Sequence, residues 1–351
     1  MMSQSNPPIV FVLVGLNFGR HIYDHLISDN APTDIKLAGV CDMDIDKARK
    51  LVGDRADIAI YPTLDAVLAD ENVQAIGLYT GPNGRAKLLD KIIDAGKDVM
   101  TTKPFETDPD AAQTVLLKAR QMGRVIHLNS PGPGLSDDLA IITKWQKQYQ
   151  LGRAIGARAD VWVSYREQAD GRWQDDPDIC PAAPVFRLGI YLINDLVQLL
   201  GPTKQISVMS SRLFTGRPTA DNAQLGIKFE NGTLANIFAS FCVEDGDHYR
   251  NSLTLNFERG TIYRNVGPIR QNQEASLSLV IGETIGQTRQ IIDSQQVQLR
   301  SGLYNWPGFA KAVRQQPDAP TYDIQHIVEP LRVLSKIAEA EQSATLVDIQ
   351  H

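Results

Sequence analysis

Ile9–Arg20 reads IVFVLVGLNFGR, and Ile35–Asp42 reads IKLAGVCD. Ile9–Val14 are six apolar, mostly β-branched residues, the signature of a parallel strand buried on both faces. Gly15 lets the chain turn sharply where a Cβ would clash. A helical pattern follows, then a second apolar run, Ile35–Cys41, which ends at Asp42, 27 positions beyond Gly15. Strand, glycine turn, helix, strand and acid, in that order, are how a doubly wound sheet holds a dinucleotide.

The usual G-x-G-x-x-G turn would place glycines at 15, 17 and 20. This chain has Gly15, Asn17 and Arg20, with Phe18 between and an extra glycine at Gly19. Asn tolerates left-handed dihedrals, so Asn17 can still make the turn, although its side chain tightens the approach of a pyrophosphate. A helix starting near Gly19 aims N–H groups at phosphates, and Arg20 adds a positive charge. At the tip of the second strand, Asp42 can accept both ribose hydroxyls and would repel a 2′-phosphate, which favours NAD over NADP. The glycine turn alone also fits a tight βα connection that binds nothing. Asp42 also fits as the cap of the helix beginning in DMDIDKARKL, and the two roles are compatible.

At 351 residues the chain is long enough for two domains with buried cores. It is 43% hydrophobic and 22% charged, as ordinary globular proteins are. A net charge of −6 argues against broad nucleic-acid binding. MMSQSNPP at the start lacks the pattern of a signal peptide, and no apolar stretch is long enough to span a bilayer. Cys41, Cys180 and Cys242 are few and scattered, so a reducing cytoplasm is the expected location.

Strand and helix patterns alternate from residue 9 to 128, the rhythm of a parallel sheet. Dense punctuation at Asn129-Ser130-Pro131-Gly132-Pro133-Gly134 marks a boundary, giving domains 1–128 and 129–351. The second part reads as a helix around 135–150, a strand around 154–166, a polar loop at 167–184 and an apolar helix at 185–200. Strand-like runs follow at 204–214, 223–230, 233–243, 252–258 and 260–265, with tight turns such as Glu230-Asn231-Gly232 that signal antiparallel pairing. The expectation is α/β: a doubly wound parallel sheet, then an α+β domain with a large, open, mostly antiparallel sheet. A helix at 323–341 closes the chain. The open face of that sheet needs a cover, so a homodimer or homotetramer through it is expected. A monomer by light scattering would contradict this.

Gly96-Lys97-Asp98-Val99-Met100-Thr101-Thr102-Lys103-Pro104 ends a strand in a lysine whose backbone Pro104 bars from the helical region. That places Lys103 at the strand's carboxyl end, where ligands bind in such sheets. Upstream, Thr80-Gly81-Pro82-Asn83 precedes a helix ending at Ala95-Gly96. Here the chain resembles the glucose–fructose oxidoreductase / inositol dehydrogenase / MocA (Gfo/Idh/MocA) family over almost its full length. The resemblance rests on the glycine turn at 15–19, Val40-Cys41-Asp42, Pro82-Asn83, Ala95-Gly96-Lys97 and Lys103-Pro104. It continues through Leu151-Gly152, Ile155-Gly156, Leu188-Gly189-Ile190-Tyr191 and Leu200-Gly201.

The resemblance implies a Rossmann domain followed by a mixed α/β domain, with nicotinamide at the interface and sugars, inositols or related polyols as substrates. It carries the lysine of the family's E-K-P motif to Lys103, and the D-x-G-x-H pattern to Arg187, Gly189 and Tyr191. The cofactor-binding stretch would then run through Gly15, Asn17, Phe18, Gly19, Arg20, Asp42, Thr80, Pro82, Asn83, Lys103 and Pro104. The chain departs from the pattern at Thr102 for glutamate, Ala86 for a frequent histidine, Arg187 for aspartate, and Asn194 for a second aspartate beside Asp195.

Hydride transfer leaves a hydroxyl proton to be moved, and Lys103 and Tyr191 are the candidate catalytic groups. Lys103 also reads as a surface lysine at a strand end, and Tyr191 as an amphipathic helix residue. Arg187 fits an anchor for an acidic sugar or an interdomain salt bridge. Trp173 could stack on a sugar ring or merely pin its loop. His21, Asp24 and His25 have metal-ligand spacing, but a solvated helix face explains them better, and no metal is expected. Glu244-Asp245-Gly246-Asp247-His248 and Asp175-Asp176-Pro177-Asp178 read as solvated loops. The rival functions are a cofactor-binding sensor that has lost its chemistry and a dihydrodiol-type dehydrogenase.

Overall fold

The computed structural model describes residues 6–246, 249–267, 274–282, 286–298 and 304–343. They divide into two compact units. One holds 6–134 and 304–328, the other 135–298 and 329–343.

The first unit is a six-stranded parallel sheet, β1 (Ile9–Val14), β2 (Ile35–Cys41), β3 (Ala59–Tyr61), β4 (Ala75–Leu78), β5 (Asp98–Thr101) and β6 (Ile126–Leu128), in the order β3-β2-β1-β4-β5-β6. Helices α1 (Gly19–Leu26), α2 (Ile45–Val52), α3 (Leu64–Ala69), α4 (Arg85–Asp94) and α5 (Pro109–Gln121) form the crossovers. The sheet centre is wholly apolar: Phe11, Val12, Leu13, Ile76 and Leu78 are fully buried. Because strand order reverses between β1 and β4, their carboxyl ends open the crevice in which such sheets bind ligands.

The expected boundary at 128/129 needs correcting at both ends of the chain. The first unit runs to residue 134 and takes back 304–328. The reason is apolar: helix α8 (Trp306–Val313) sets Trp306 and Phe309 edge-on against Phe11, with ring centroids 5.7 and 6.1 Å apart. Asn305 caps α8 by accepting from Gly308 N at 3.0 Å, and its own N–H donates to Asn129 Oδ1 at 2.7 Å. The single closing helix expected at 323–341 is two, α9 (Gln325–Ser335) and α10 (Ile337–Ser343).

In the second unit eight strands form one sheet, ordered β14-β13-β12-β11-β7-β10-β9-β8. They are β7 (Ala154–Trp162), β8 (Thr203–Ser211), β9 (Asn222–Phe229), β10 (Leu234–Ser240), β11 (Arg250–Phe257), β12 (Gly260–Arg264), β13 (Glu274–Ile281) and β14 (Gln290–Gln298). Pairing is antiparallel except between β7 and β10. Helix α6 (Asp137–Gln148), a π-helical turn Val185–Gly189 and helix α7 (Ile190–Leu200) belong to this unit, and α10 packs along β8. Alternate β7 residues Ala157, Ala159 and Val161 are buried, while Arg158, Asp160 and Trp162 take the other face. Strands β13 and β14 lie outside the runs expected from sequence.

His127, in the edge strand β6, packs edge-on against Phe309 at 5.7 Å. Burial pushes its imidazole down to about 4. A histidine whose folded value lies below its unfolded value of about 6.5 adds stability that is complete above pH 6.5 and is lost as pH falls toward 4. This contribution is worth roughly 2–3 kcal/mol. Urea midpoints at pH 7.5 and 4.5 should therefore converge in His127→Leu relative to the parent chain. An equal acid loss in both chains would exclude His127 as the source.

Candidate active site

In the first unit the glycine turn follows β1. Gly15 has φ +88°, and a Cβ there would lie 2.9 Å from the backbone of Tyr79, so no side chain fits. Gly15 N donates to Cys41 O at 2.9 Å, which ties the turn to the end of β2. Asp42 draws it closer still. Its Oδ2 accepts from Leu16 N at 2.7 Å and its Oδ1 from Asp44 N at 3.0 Å. Oδ1 also accepts from Lys47 Nζ at 3.5 Å, so the capacity for a further donor is on Oδ2. Asp42 is therefore not the cap of α2. That role falls to Asp44, whose side chain accepts from Lys47 N at 3.1 Å.

Helix α1 opens behind Phe18 with no side-chain cap, so no side chain competes for its first-turn N–H groups. Phe18 is half exposed beside Tyr79, at 5.9 Å. Arg20 lies on α1 with its guanidinium 3.9 Å from Asp24, and both are exposed. His25 stacks on Trp306 at 6.3 Å, and among the described residues no group of three His, Cys, Asp or Glu is placed to hold a metal.

Thr80, Pro82 and Asn83 form the loop after β4, and Lys103 and Pro104 follow β5. The Lys103–Pro104 and Ser130–Pro131 peptides are cis. Lys103 N donates to Ser130 O at 3.2 Å, and its side chain is half-buried. Sequence reasoning missed the two residues that fasten these loops. Arg85, the first residue of α4, is buried. Its guanidinium donates to the carbonyls of Thr80, Thr102 (2.7 Å), Pro104 and Phe105 (3.2 Å). Burial pushes it down to about 10, with Glu106 acting in the other direction, so it stays charged at neutral pH. Glu106, also buried, accepts from Gly84 N at 3.1 Å, Ala86 N at 2.6 Å and Thr107 N at 2.7 Å, which caps α4 from across the crossover. The signal available in the sequence was an arginine directly after Gly84, at the start of an otherwise ordinary helix.

The second unit gathers the other candidates. Gly189 ends the π-helical turn, where a Cβ would press on Val185 at 3.2 Å. Such turns are frequent at functional sites. Tyr191, in the first turn of α7, is half-buried and meets the Tyr249 ring edge-on at 6.4 Å. Arg187 lies 4.6 Å over the Phe241 ring and pairs with Glu167 through two bonds of 2.5 and 3.0 Å. Since Glu167 belongs to the same unit, the ion pair is not interdomain. Burial works against the Glu167 charge, but Arg187 and Arg217 outweigh it and hold the carboxyl below its ordinary range.

Arg217 is buried and also pairs with Asp175, which accepts from Asp170 N at 2.7 Å and Gly171 N at 2.6 Å. Asp175 is thus an internal anchor, a correction to its reading as part of a solvated loop. Its partner lies 42 residues further along the chain. The anchor fixes the 3₁₀ turn Trp173–Asp175, where Trp173 is half-buried with its ring 6.3 Å from Phe186. Glu244 accepts from Ser164 Oγ at 3.1 Å, while Asp247 and His248 lie outside the described residues. In the same unit, Arg264 Nη1 bridges Asp138 (2.9 Å) and Asp195 (2.7 Å), and Nη2 donates to Asn251 at 2.7 Å. Burial pushes Asp195 up to about 6. Burial also opposes the Asp138 charge, but Arg264 and Ser136 hold that carboxyl below its ordinary value.

Residues 9–130 match the family model for the oxidoreductase family with an NAD-binding Rossmann fold, and residues 142–263 match the GFO/IDH/MocA C-terminal domain. The chain belongs to the Gfo/Idh/MocA oxidoreductase family. An uncharacterised oxidoreductase of Schizosaccharomyces pombe is 23% identical over 202 residues, 56% of this chain and 53% of that one. The chain thus spans about half the length of that curated relative. Two solved structures share the fold. A protein of Desulfitobacterium hafniense provisionally described as an NADPH-dependent oxidoreductase is 17% identical, covers 96% of each chain and has a TM-score of 0.74. The WlbA dehydrogenase of Bordetella pertussis, in complex with NADH and UDP-GlcNAcA, is 16% identical over 95% of this chain and 97% of its own, with a TM-score of 0.68. No helix among the described residues is long and apolar enough to cross a membrane.

The donor set suits a dinucleotide. An uncapped helix start, a glycine turn closed to side chains and a carboxylate with spare acceptor capacity sit at the ends of β1 and β2. Asp42 would take a ribose hydroxyl, and the 15–19 turn the diphosphate.

Proposed function

We propose that this chain transfers a hydride between a nicotinamide cofactor and a hydroxyl-bearing carbon of a sugar, inositol or related polyol. The observation that carries the reading is the bond from Leu16 N to Asp42, which welds the glycine turn to the ribose acid. The nicotinamide, when bound, supplies the hydride chemistry. Lys103 Nζ hydrogen-bonds the reacting oxygen and holds its proton, and Tyr191 is the second unit's candidate for a hydroxyl that contacts substrate. Arg187 is neutralised by Glu167, so it shapes the site rather than binding an acidic sugar on its own. Trp173, held by the Asp175–Arg217 pair, offers an aromatic face to a sugar ring. Asp42 weighs toward NAD. The sugar bound to the WlbA relative supports the substrate class, and light scattering and cell fractionation read the remaining expectations of a homo-oligomer in the cytoplasm.

The test is a polyol and sugar panel assayed with saturating cofactor. Wild type should turn over at least one member, and Lys103→Ala should lower kcat by about 10²-fold or more while cofactor affinity holds. Equal kcat in the two removes Lys103 from the chemistry. Cofactor binding without turnover of any substrate by wild type supports the sensor reading, which the replacement of the family's aspartate by a paired Arg187 favours. Turnover of a trans-dihydrodiol alone supports the third reading.

A further inference from the structure

Lys47 is the third residue of α2, and its ammonium reaches back to the glycine turn. Nζ lies 3.1 Å from Asn17 Oδ1 and 3.5 Å from Asp42 Oδ1. Asn17 stands at the second glycine position of the usual turn, so its amide oxygen helps hold a cation at the ribose acid. The neighbouring acids are otherwise engaged: Asp44 caps α2, and Asp46 pairs with Arg49 at 2.9 Å. Arg20 stays with Asp24.

We propose that Lys47 sets how this chain discriminates between NADH and NADPH, by offsetting the Asp42 carboxylate so that a 2′-phosphate is accepted beside it. The proposal rests on the dinucleotide reading of the glycine turn. A lone carboxylate at a strand tip repels a 2′-phosphate that carries close to two negative charges. A cation 3.5 Å from that carboxylate offsets part of its repulsion of a phosphate placed beside it. The Lys47 side chain is 38% exposed and the Asp42 side chain 11%, so the lysine can swing on its flexible stem and the acid cannot. With NADH the ammonium stays on Asn17 and Asp42, and the spare lone pair of Asp42 Oδ2 takes a ribose hydroxyl. With NADPH it turns to the phosphate.

The experiment titrates the full chain with NADH and with NADPH, reading nicotinamide fluorescence, with melting curves to confirm that each variant is folded. In wild type the two Kd values should fall within about tenfold of each other. Lys47→Gln should weaken NADPH by about tenfold or more and NADH by less than about threefold. Lys47→Arg should keep the wild-type ratio. A wild-type preference for NADH above about a hundredfold overturns the proposal. So does an equal loss for both cofactors in Lys47→Gln. Binding of neither cofactor by folded wild type fails the dinucleotide reading itself, a separate outcome.

Discussion

Replacing Arg264 with methionine is expected to destabilise the second unit by about 3–5 kcal/mol at pH 8. The guanidinium is 3% exposed and answers two carboxylates and an amide oxygen. Methionine fills much of the same space, so the loss reads as charge rather than cavity. What remains is a pair of buried like charges, Asp138 and Asp195, with no cation between them. Both carboxyls then rise above their unfolded values. A group raised on folding contributes stability below its unfolded value that is lost as pH climbs through the folded one. The variant should therefore lose most at pH 8 and recover toward pH 5, as the carboxyls take up protons. Thermal unfolding across that range checks the sign. Adding Asp138→Asn and Asp195→Asn to Arg264→Met should return much of the loss, because the three act as one network. A penalty independent of pH would show that packing, not the ion triad, holds the strand.

The same triad has a functional side. Arg264 reaches Asn251, whose side chain hydrogen-bonds Tyr249, and the Tyr249 ring lies edge-on to Tyr191. The tyrosine carried over from the family pattern thus stands on a polar scaffold rather than in an apolar core. Of the departures, Arg187 pairs with Glu167 and lies over the Phe241 ring, the Ala86 N–H donates to Glu106, and the Thr102 carbonyl accepts from Arg85.

How much of this was legible in advance depended on whether the cause is local. Ile9–Val14, apolar throughout, and Ile35–Cys41, apolar but for the exposed Lys36, declare buried parallel strands, and the observed bounds coincide with the expected ones. Asp42 is legible because strand length and turn length fix where the acid falls. The polar strand β14, QIIDSQQVQ, is not: its side chains are largely exposed and carry no alternation strong enough to read. Trp306 and Phe309 return to Phe11 from nearly 300 residues away, and nothing in the local pattern names that partner. Asp175 looks solvated until Arg217 is placed beside it. Lys47 was absorbed into an ordinary charged helix, because the pattern that found Asp42 says nothing about which side chain leans over it. Site residues fixed by backbone geometry were readable, and those fixed by a distant charge were not.

Arg85→Lys is the sharper test of that distinction. Arg85 was invisible as a site residue, yet its guanidinium ties together carbonyls from the Thr80 loop and from the segment Thr102–Phe105 that carries Lys103. One planar fork spans these acceptors. An ammonium on a shorter stem has three donors and no fixed geometry, so at least one buried carbonyl is left without a partner, at about 1–3 kcal/mol each. Arg85→Met removes all the donors and should cost roughly 4 kcal/mol or more, enough to unfold a marginal domain, which is why the lysine variant carries the argument. In Arg85→Lys the loops flanking the proposed cofactor site lose their common tie while the glycine turn and Asp42 keep theirs. The expected result is a folded protein with a melting temperature lowered by several degrees, near-normal affinity for the adenosine half of the cofactor, and a kcat reduced by about tenfold or more as Lys103 loses its position. Calorimetric titration with adenosine diphosphate ribose separates the two halves. If that ligand and the intact dinucleotide weaken together, Arg85 supports the whole crevice; if kcat stands unchanged, the four carbonyls hold their places without it, and Lys103 is positioned by the Ser130 contact alone.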